Sequence, residues 1–154
     1  FDPGLAVRQT VDGLALLARG KGLACDCHVA DDVPSLVRGD PARLRQIISN
    51  LVGNAIKFTH SGRIDIDVTT RPSTTEAEVP LVIRVRDTGI GIAADKLPRL
   101  FKAFSQTDDS TTRLYGGSGL GLAISQELAR RMGGEILVES KVGSGTTFTV
   151  ALYL

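Results

Sequence analysis

A chain of 154 residues, 42% of them hydrophobic, can bury a core of its own, and a single domain over residues 1–154 is expected. Eighteen basic against seventeen acidic residues leave a net charge of +1, so no global field draws in nucleic acid or an anionic membrane, and partners must be argued from local sites. No apolar run approaches the roughly 18 residues that span a bilayer, no charged n-region opens a signal peptide, and the missing initial methionine suggests a piece of a longer chain.

From Leu5 to Ala18 the apolar residues Val7, Val11, Leu14 and Ala18 recur at helical spacing and "RGKG" ends the run, which predicts an amphipathic helix. Leu23 to Val29 alternates with period two, as a half-buried strand does. It puts Cys25 and Cys27 on one face and Asp26 and His28 on the other, so a metal site would split its ligands; two small core residues are the simpler reading. In "GDP", Asp40 caps a helix and Pro41 fits its first turn; this helix should run to about Thr59. "RIDIDVTT" and "LVIRVRD" are alternating strands joined by the polar surface loop "RPSTTEAEVP". After Asp87 the pattern breaks at "TGIGI", and a short helical piece follows around "DKLPRLFKAF". Ser105 to Gly117 are polar and read as a mobile loop. A helix from about Ser118 carries Leu122, Ser125, Leu128, Ala129 and Met132 on one face and stops at Gly133 and Gly134. The strands "EILVES" and "TFTVALYL", joined by "KVGSG", close the chain. The predicted class is α+β: a two-layer α/β sandwich whose mixed, mostly antiparallel sheet is covered by helices on one face.

Three stretches carry chemistry. "RLYGGSGLGLAISQ" lacks the Gly-Lys-Ser/Thr of a phosphate loop, its glycines 117, 119 and 121 are spaced wrongly for a dinucleotide turn, and Ser118 lacks the second glycine of a nucleophile elbow. What is left is a glycine run emptying into a helix start, whose unpaired N–H groups suit an anion or simply make a helix-entry turn. In "DTGIGI", Asp87 ends a strand, so its carboxylate should emerge above a pocket walled by Ile90 and Ile92. An acceptor-only group there suits an exocyclic amino donor such as adenine's, with Gly89 and Gly91 letting a ring approach; an aspartate capping a turn is the alternative. On the long helix, Asn50, Asn54 and Lys57 fall within an arc of about 60° beside the stripe Leu44, Ile47, Leu51, Ala55 and Phe58. That strip either holds a metal by an amide oxygen and a phosphate by the ammonium, or is a solvated face.

Taken together, "NLVGNAIKFT", "DTGIGI", "LFKAF" and "YGGSGLGLAI" resemble, in order and spacing, the N, G1, F and G2 boxes of sensor histidine kinases, and the resemblance runs over nearly the whole chain. "AFSQTDDSTTRLYGG" is most similar to the hybrid kinases of phosphorelays. The resemblance implies the Bergerat ATP-binding fold, with ATP and Mg²⁺ as ligands. It makes Asn54 the Mg²⁺ ligand, supported by Asn50, places Lys57 and Arg113 on the phosphates, and sets Phe58 beside the nucleotide. Asp87 takes the adenine amino group, with Gly89, Gly91 and Ile92 about the base and Thr146 or Thr147 completing that end. Residues 105–117 become the ATP lid, held by Phe101 and Phe104, while Tyr115, Gly117, Ser118, Gly119, Leu120, Gly121 and Leu122 bound the phosphate site. Implied partners are a dimerisation domain that carries the phosphoacceptor histidine, expected before residue 1, and a receiver domain. The implied location is cytoplasmic, whether or not the parent protein is membrane-anchored, and the isolated domain is expected to be a monomer that binds no nucleic acid. Within the same superfamily a serine kinase of the anti-sigma-factor type, or a non-catalytic docking module, is the rival reading.

Overall fold

The computed structural model describes residues 1–73, 78–103 and 119–154. Their order is α1 (Pro3–Gly20), β1 (Ala24–Val29), α2 (Pro41–Phe58), β2 (Arg63–Thr70), β3 (Pro80–Asp87), a 3₁₀ turn (Leu97–Arg99), α3 (Gly121–Arg131), β4 (Glu135–Lys141) and β5 (Gly145–Tyr153). The expected loop or lid of residues 105–117, with Arg113, Tyr115 and Gly117, lies outside the described residues, as do Phe104 and Ser118.

Both long helices start where their caps dictate. Asp2 accepts a hydrogen bond from the Leu5 N–H ahead of α1, and Asp40 accepts from the N–H groups of Ala42 and Arg43 ahead of α2; each is followed by a proline whose missing N–H costs nothing there. In the described part of "DKLPRLFKAF" the expected short helical piece is a 3₁₀ turn at Leu97–Arg99, with Pro98, which has no N–H, inside its first turn. Likewise the last helix begins at Gly121 rather than Ser118: Gly119 has φ +69°, a left-handed conformation that a helix cannot contain.

The strands form one sheet in the order β1-β2-β3-β5-β4. β1 runs parallel to β2 across the α2 crossover, and the other three pairings are antiparallel. Period-two alternation sends Ile64, Ile66, Val68, Leu81, Ile83, Val85, Phe148, Val150 and Leu152 to one face, all buried. On that face α1 lies over β1, α2 over β2 and β3, and α3 over β4 and β5. α2 is the central helix: Leu44, Ile47, Ile48, Leu51 and Val52 are fully buried against the sheet and against α1. Arg63, Asp65, Asp67, Arg84 and Arg86 take the other face, where Asp65 stands opposite Arg86 and Asp67 opposite Arg84. The architecture is therefore the predicted sandwich.

Cys25 and Cys27 face the helix layer half-buried while Asp26 and His28 are exposed, the arrangement that the alternation predicts. Burial pushes the Cys27 thiol up to about 11, so at neutral pH it is a protonated, small apolar group. Among the described residues no three His, Cys, Asp or Glu side chains come together as a metal site, and no helix is long and apolar enough to cross a membrane.

Candidate functional site

Asp87 is the last residue of β3, flanked by Ile64 on β2 and Thr146 on β5, and it points to the helix-covered face with 6% of its surface exposed. Its Oδ1 accepts the N–H of Gly89 at 2.8 Å and the N–H of Thr146 at 3.3 Å. Both bonds land on Oδ1, and Oδ2 takes part in neither. Burial raises the Asp87 carboxyl above the ordinary carboxylate value, opposed by those two N–H donors. The loop that follows packs against its surroundings by backbone alone: a Cβ on Gly89 would strike the Phe58 carbonyl oxygen, and one on Gly91, at φ +72°, would strike that of Lys141. Ile92 packs on the core and its N–H donates to Ser140 Oγ at 2.8 Å. Ile90, expected as the second pocket wall, has an exposed side chain, and its backbone is held on both sides: its N–H donates to the Phe58 carbonyl, and its carbonyl accepts from the Gly143 N–H.

The C-terminal end of α2 meets this loop, so the strip predicted on α2 leads straight to Asp87. The Lys57 ammonium stands 5.1 Å from the centre of the Phe58 ring. Asn54 is half-buried one turn back, and one further turn back Asn50 reaches α3, donating through Nδ2 to Ser125 Oγ at 2.9 Å. Gly121, the first residue of α3, lies against the Asn50 amide so closely that a Cβ there would overlap Oδ1. One helix thus joins an acceptor at the end of the central strand to the N-terminus of another helix, a place that favours negative charge. Gly119, Leu120 and Leu122 flank that N-terminus. The two asparagines offer neutral oxygen donors, which fit a small hard cation whose remaining ligands and countercharge come from an anionic substrate.

Thr146 and Thr147 are separated by the pleat. Thr146 is buried beside Asp87, whereas Thr147 stands opposite Arg86 on the solvent face, so the structure does not bring Thr147 to the site. Three further residues complete the supports. Ser140 Oγ donates to the Gly145 carbonyl at 3.0 Å and lies 2.8 Å from Thr146 Oγ1, tying the β4–β5 turn to the Asp87 loop. Ser125 holds Asn50, and Lys21 Nζ donates to the Ile56 carbonyl, closing the C-terminal end of α2. The signal for both serines was a hydroxyl at a position whose periodicity is apolar; Lys21 carried no such signal.

Gly145 ties the sheet to the site. It has φ +105°, and a Cβ would collide with the Asp87 carbonyl oxygen. Gly145→Ala should therefore cost about 1–3 kcal/mol and lower the melting temperature by several degrees. A thermal melt identical to that of the parent chain would show that the β3–β5 junction tolerates the side chain.

Comparison with known proteins places this geometry. The family described as histidine kinase-, DNA gyrase B-, and HSP90-like ATPase matches residues 39–154. Hybrid signal transduction histidine kinase L of Dictyostelium discoideum is 46% identical over 99% of this chain, and the signal transduction histidine-protein kinase BarA of Escherichia coli is 47% identical over 92%. The chain spans 9% and 16% of those two proteins. Among solved structures, full-length ShkA in complex with AMPPNP superposes with a TM-score of 0.84 at 34% identity, over 99% of this chain and 30% of that one.

Proposed function

Because this chain belongs to the histidine kinase-, DNA gyrase B-, and HSP90-like ATPase family and is the ATP-binding module of the sensor histidine kinase type, we propose that it binds Mg-ATP and passes the γ-phosphate to a histidine on a separate dimerisation domain. The observation that supports this best is Asp87: a buried carboxylate at the end of β3 with one oxygen fixed by two backbone N–H groups and the second outside those bonds, an acceptor suited to an exocyclic amino group. The solved relative in complex with AMPPNP supports the nucleotide-binding part of this reading.

In this reading the base sits at Asp87 and the phosphates run along α2 toward the start of α3. Asn54, supported by Asn50, would hold Mg²⁺, which supplies neutralisation of phosphate oxygens when bound. Lys57 and the α3 N-terminus stabilise phosphate charge, and Arg113 is proposed to approach the γ-phosphate. Transfer breaks the bond between the γ-phosphorus and the β-bridging oxygen and forms a phosphorus–nitrogen bond on the acceptor, releasing ADP. Neither histidine of this chain suits the acceptor: His28 is exposed on the β1 strand and His60 lies in the turn after α2, so neither stands on a helix. The acceptor, and the receiver domain that takes the phosphate onward, are proposed as parts of a longer protein.

Water is a poor substitute for the histidine here. Asn50 is an amide and takes no proton, so the site lacks a base at that position to activate water. The expected result is ATP binding with slow hydrolysis, and phosphorylation only when a histidine-bearing helical hairpin is added. Calorimetry, a phosphate-release assay and radiolabel transfer measure the three steps. An acid-labile, base-stable product identifies phosphohistidine, while an acid-stable one would assign the chain to the serine kinases. Rapid Mg²⁺-dependent hydrolysis without an acceptor would contradict the proposal.

A further inference from the structure

Asn50 and Ser125 are 75 positions apart in sequence, yet their side chains meet at 2.9 Å across the α2–α3 contact. Ser125 is 1% exposed, a hydroxyl on the buried stripe of α3 where Ala129 and the half-buried Leu122 and Leu128 sit. A buried hydroxyl there costs stability unless it is paired, and the Asn50 amide is the side chain that pairs it. Seen from Asn50, the amide nitrogen is committed to Ser125 while the amide oxygen lies against Gly121, where a Cβ has no room. Residues 121 and 125 are one turn apart on α3, so a single helix face touches both ends of the amide and holds it with its nitrogen on the hydroxyl.

We infer that Ser125 is a positioning residue: its hydroxyl sets the orientation of the Asn50 amide and locks the N-terminus of α3 in register with the polar strip on α2. This rests on the function proposed above. The two ends of an amide differ in sign, the oxygen attracting a cation or its waters and the nitrogen repelling them. With Ser125 gone, the productive orientation of the Asn50 amide loses the hydrogen bond that favours it, and orientations that present N–H groups where oxygen is needed gain population. Asp87, at the other end of α2, is untouched. The defect therefore falls on the cation-dependent part of nucleotide binding and spares the part carried by the base.

The test titrates ATP into the parent chain, Ser125→Ala, Ser125→Cys, Asn50→Ala and the double variant Asn50→Ala/Ser125→Ala, over a series of Mg²⁺ concentrations and again in EDTA. Circular dichroism melts report folding. Ser125→Ala should raise the Mg²⁺ concentration for half-maximal ATP binding about five- to tenfold, the loss of one buried hydrogen bond, while affinity in EDTA stays within about twofold. Ser125→Cys, close in volume and a poor acceptor, should fall on the same side, and it carries the test if the alanine variant does not fold. In the Asn50→Ala background the serine should no longer matter. Equal losses with and without Mg²⁺, or losses that add in the double variant, overturn the inference. A parent chain that binds ATP with Mg²⁺ alongside a Ser125→Ala variant that binds identically overturns it alone; a parent chain that binds no ATP overturns the proposed function and this inference with it.

Discussion

Asp87→Asn should lower ATP affinity about 100-fold and leave the protein folded, with a melting temperature at pH 7 equal to or above that of the parent chain. The two halves of this expectation have one cause. Asp87 is buried, and its carboxyl is raised above the ordinary value of 3.8 chiefly by that burial. The folded chain thus holds the proton to higher pH than the unfolded chain does. Between those two points stability falls as pH rises, and above the folded value the ionised carboxylate is a standing cost. Asparagine removes the charge, while its oxygen can still accept from the N–H groups of Gly89 and Thr146. What it cannot do is present an acceptor at Oδ2, because an NH₂ takes that place and meets the adenine amino group donor to donor. GTP, with a carbonyl at the same ring position, should bind the parent chain roughly 10⁴-fold more weakly than ATP, as in sites built to pair a polar group. Acid should act on binding in the opposite sense to stability: as pH falls through the raised Asp87 value the acceptor is lost and ATP affinity drops. Equal affinity for ATP and GTP, or an Asp87→Asn chain that binds ATP normally, would remove Asp87 from the role.

Asn54→Ala is expected to have its largest effect on transfer rather than on folding. Asn54 is half-buried on the strip of α2 beside the core stripe and is not one of the helix's buried residues, so its truncation opens no fully buried cavity and stability should change by less than about 1 kcal/mol. The proposed cation, however, would lose its protein ligand. Phosphoryl transfer relies on positioning and charge neutralisation, and removing one such contact should slow phosphorylation of an added histidine hairpin roughly 10²-fold or more. Adenosine, which has no phosphates, should bind the variant as it binds the parent chain. A transfer rate within a factor of about three of the parent chain's would show that Asn54 holds nothing essential.

The layered fold was legible because the two periods are clean. Val7, Val11 and Ala18 mark the buried side of α1, Ile64, Ile66 and Val68 that of β2, and Asp40-Pro41 sets the first turn of α2. The strip from Asn50 to Lys57 was legible for the same reason, since helical geometry alone decides which α2 residues share a face. Two things were not. The choice between Thr146 and Thr147 depends on the register of β5 against Asp87, a one-residue question that alternating apolar residues could have settled only with the partner strand known. The Ser125 and Ser140 contacts join elements distant in the chain or bent back by a turn, and a hydroxyl carries no mark of which amide or carbonyl it will meet. The start of α3 failed more locally: four glycines around 116–121 offer several places to begin a helix, and Gly119 takes the left-handed one.

α2 also measures length. Its backbone rises about 1.5 Å per residue, so Asn50 and Lys57 are fixed about 10 Å apart along the axis, and the Phe58 carbonyl holds the Asp87 loop at the far end of that interval. Neither end can approach the other without breaking the helix. With the proposed ligand, a rigid gauge of this kind would sort by span: adenosine and its monophosphate would engage the Asp87 end and stop short, and only a chain of phosphates would touch both marks.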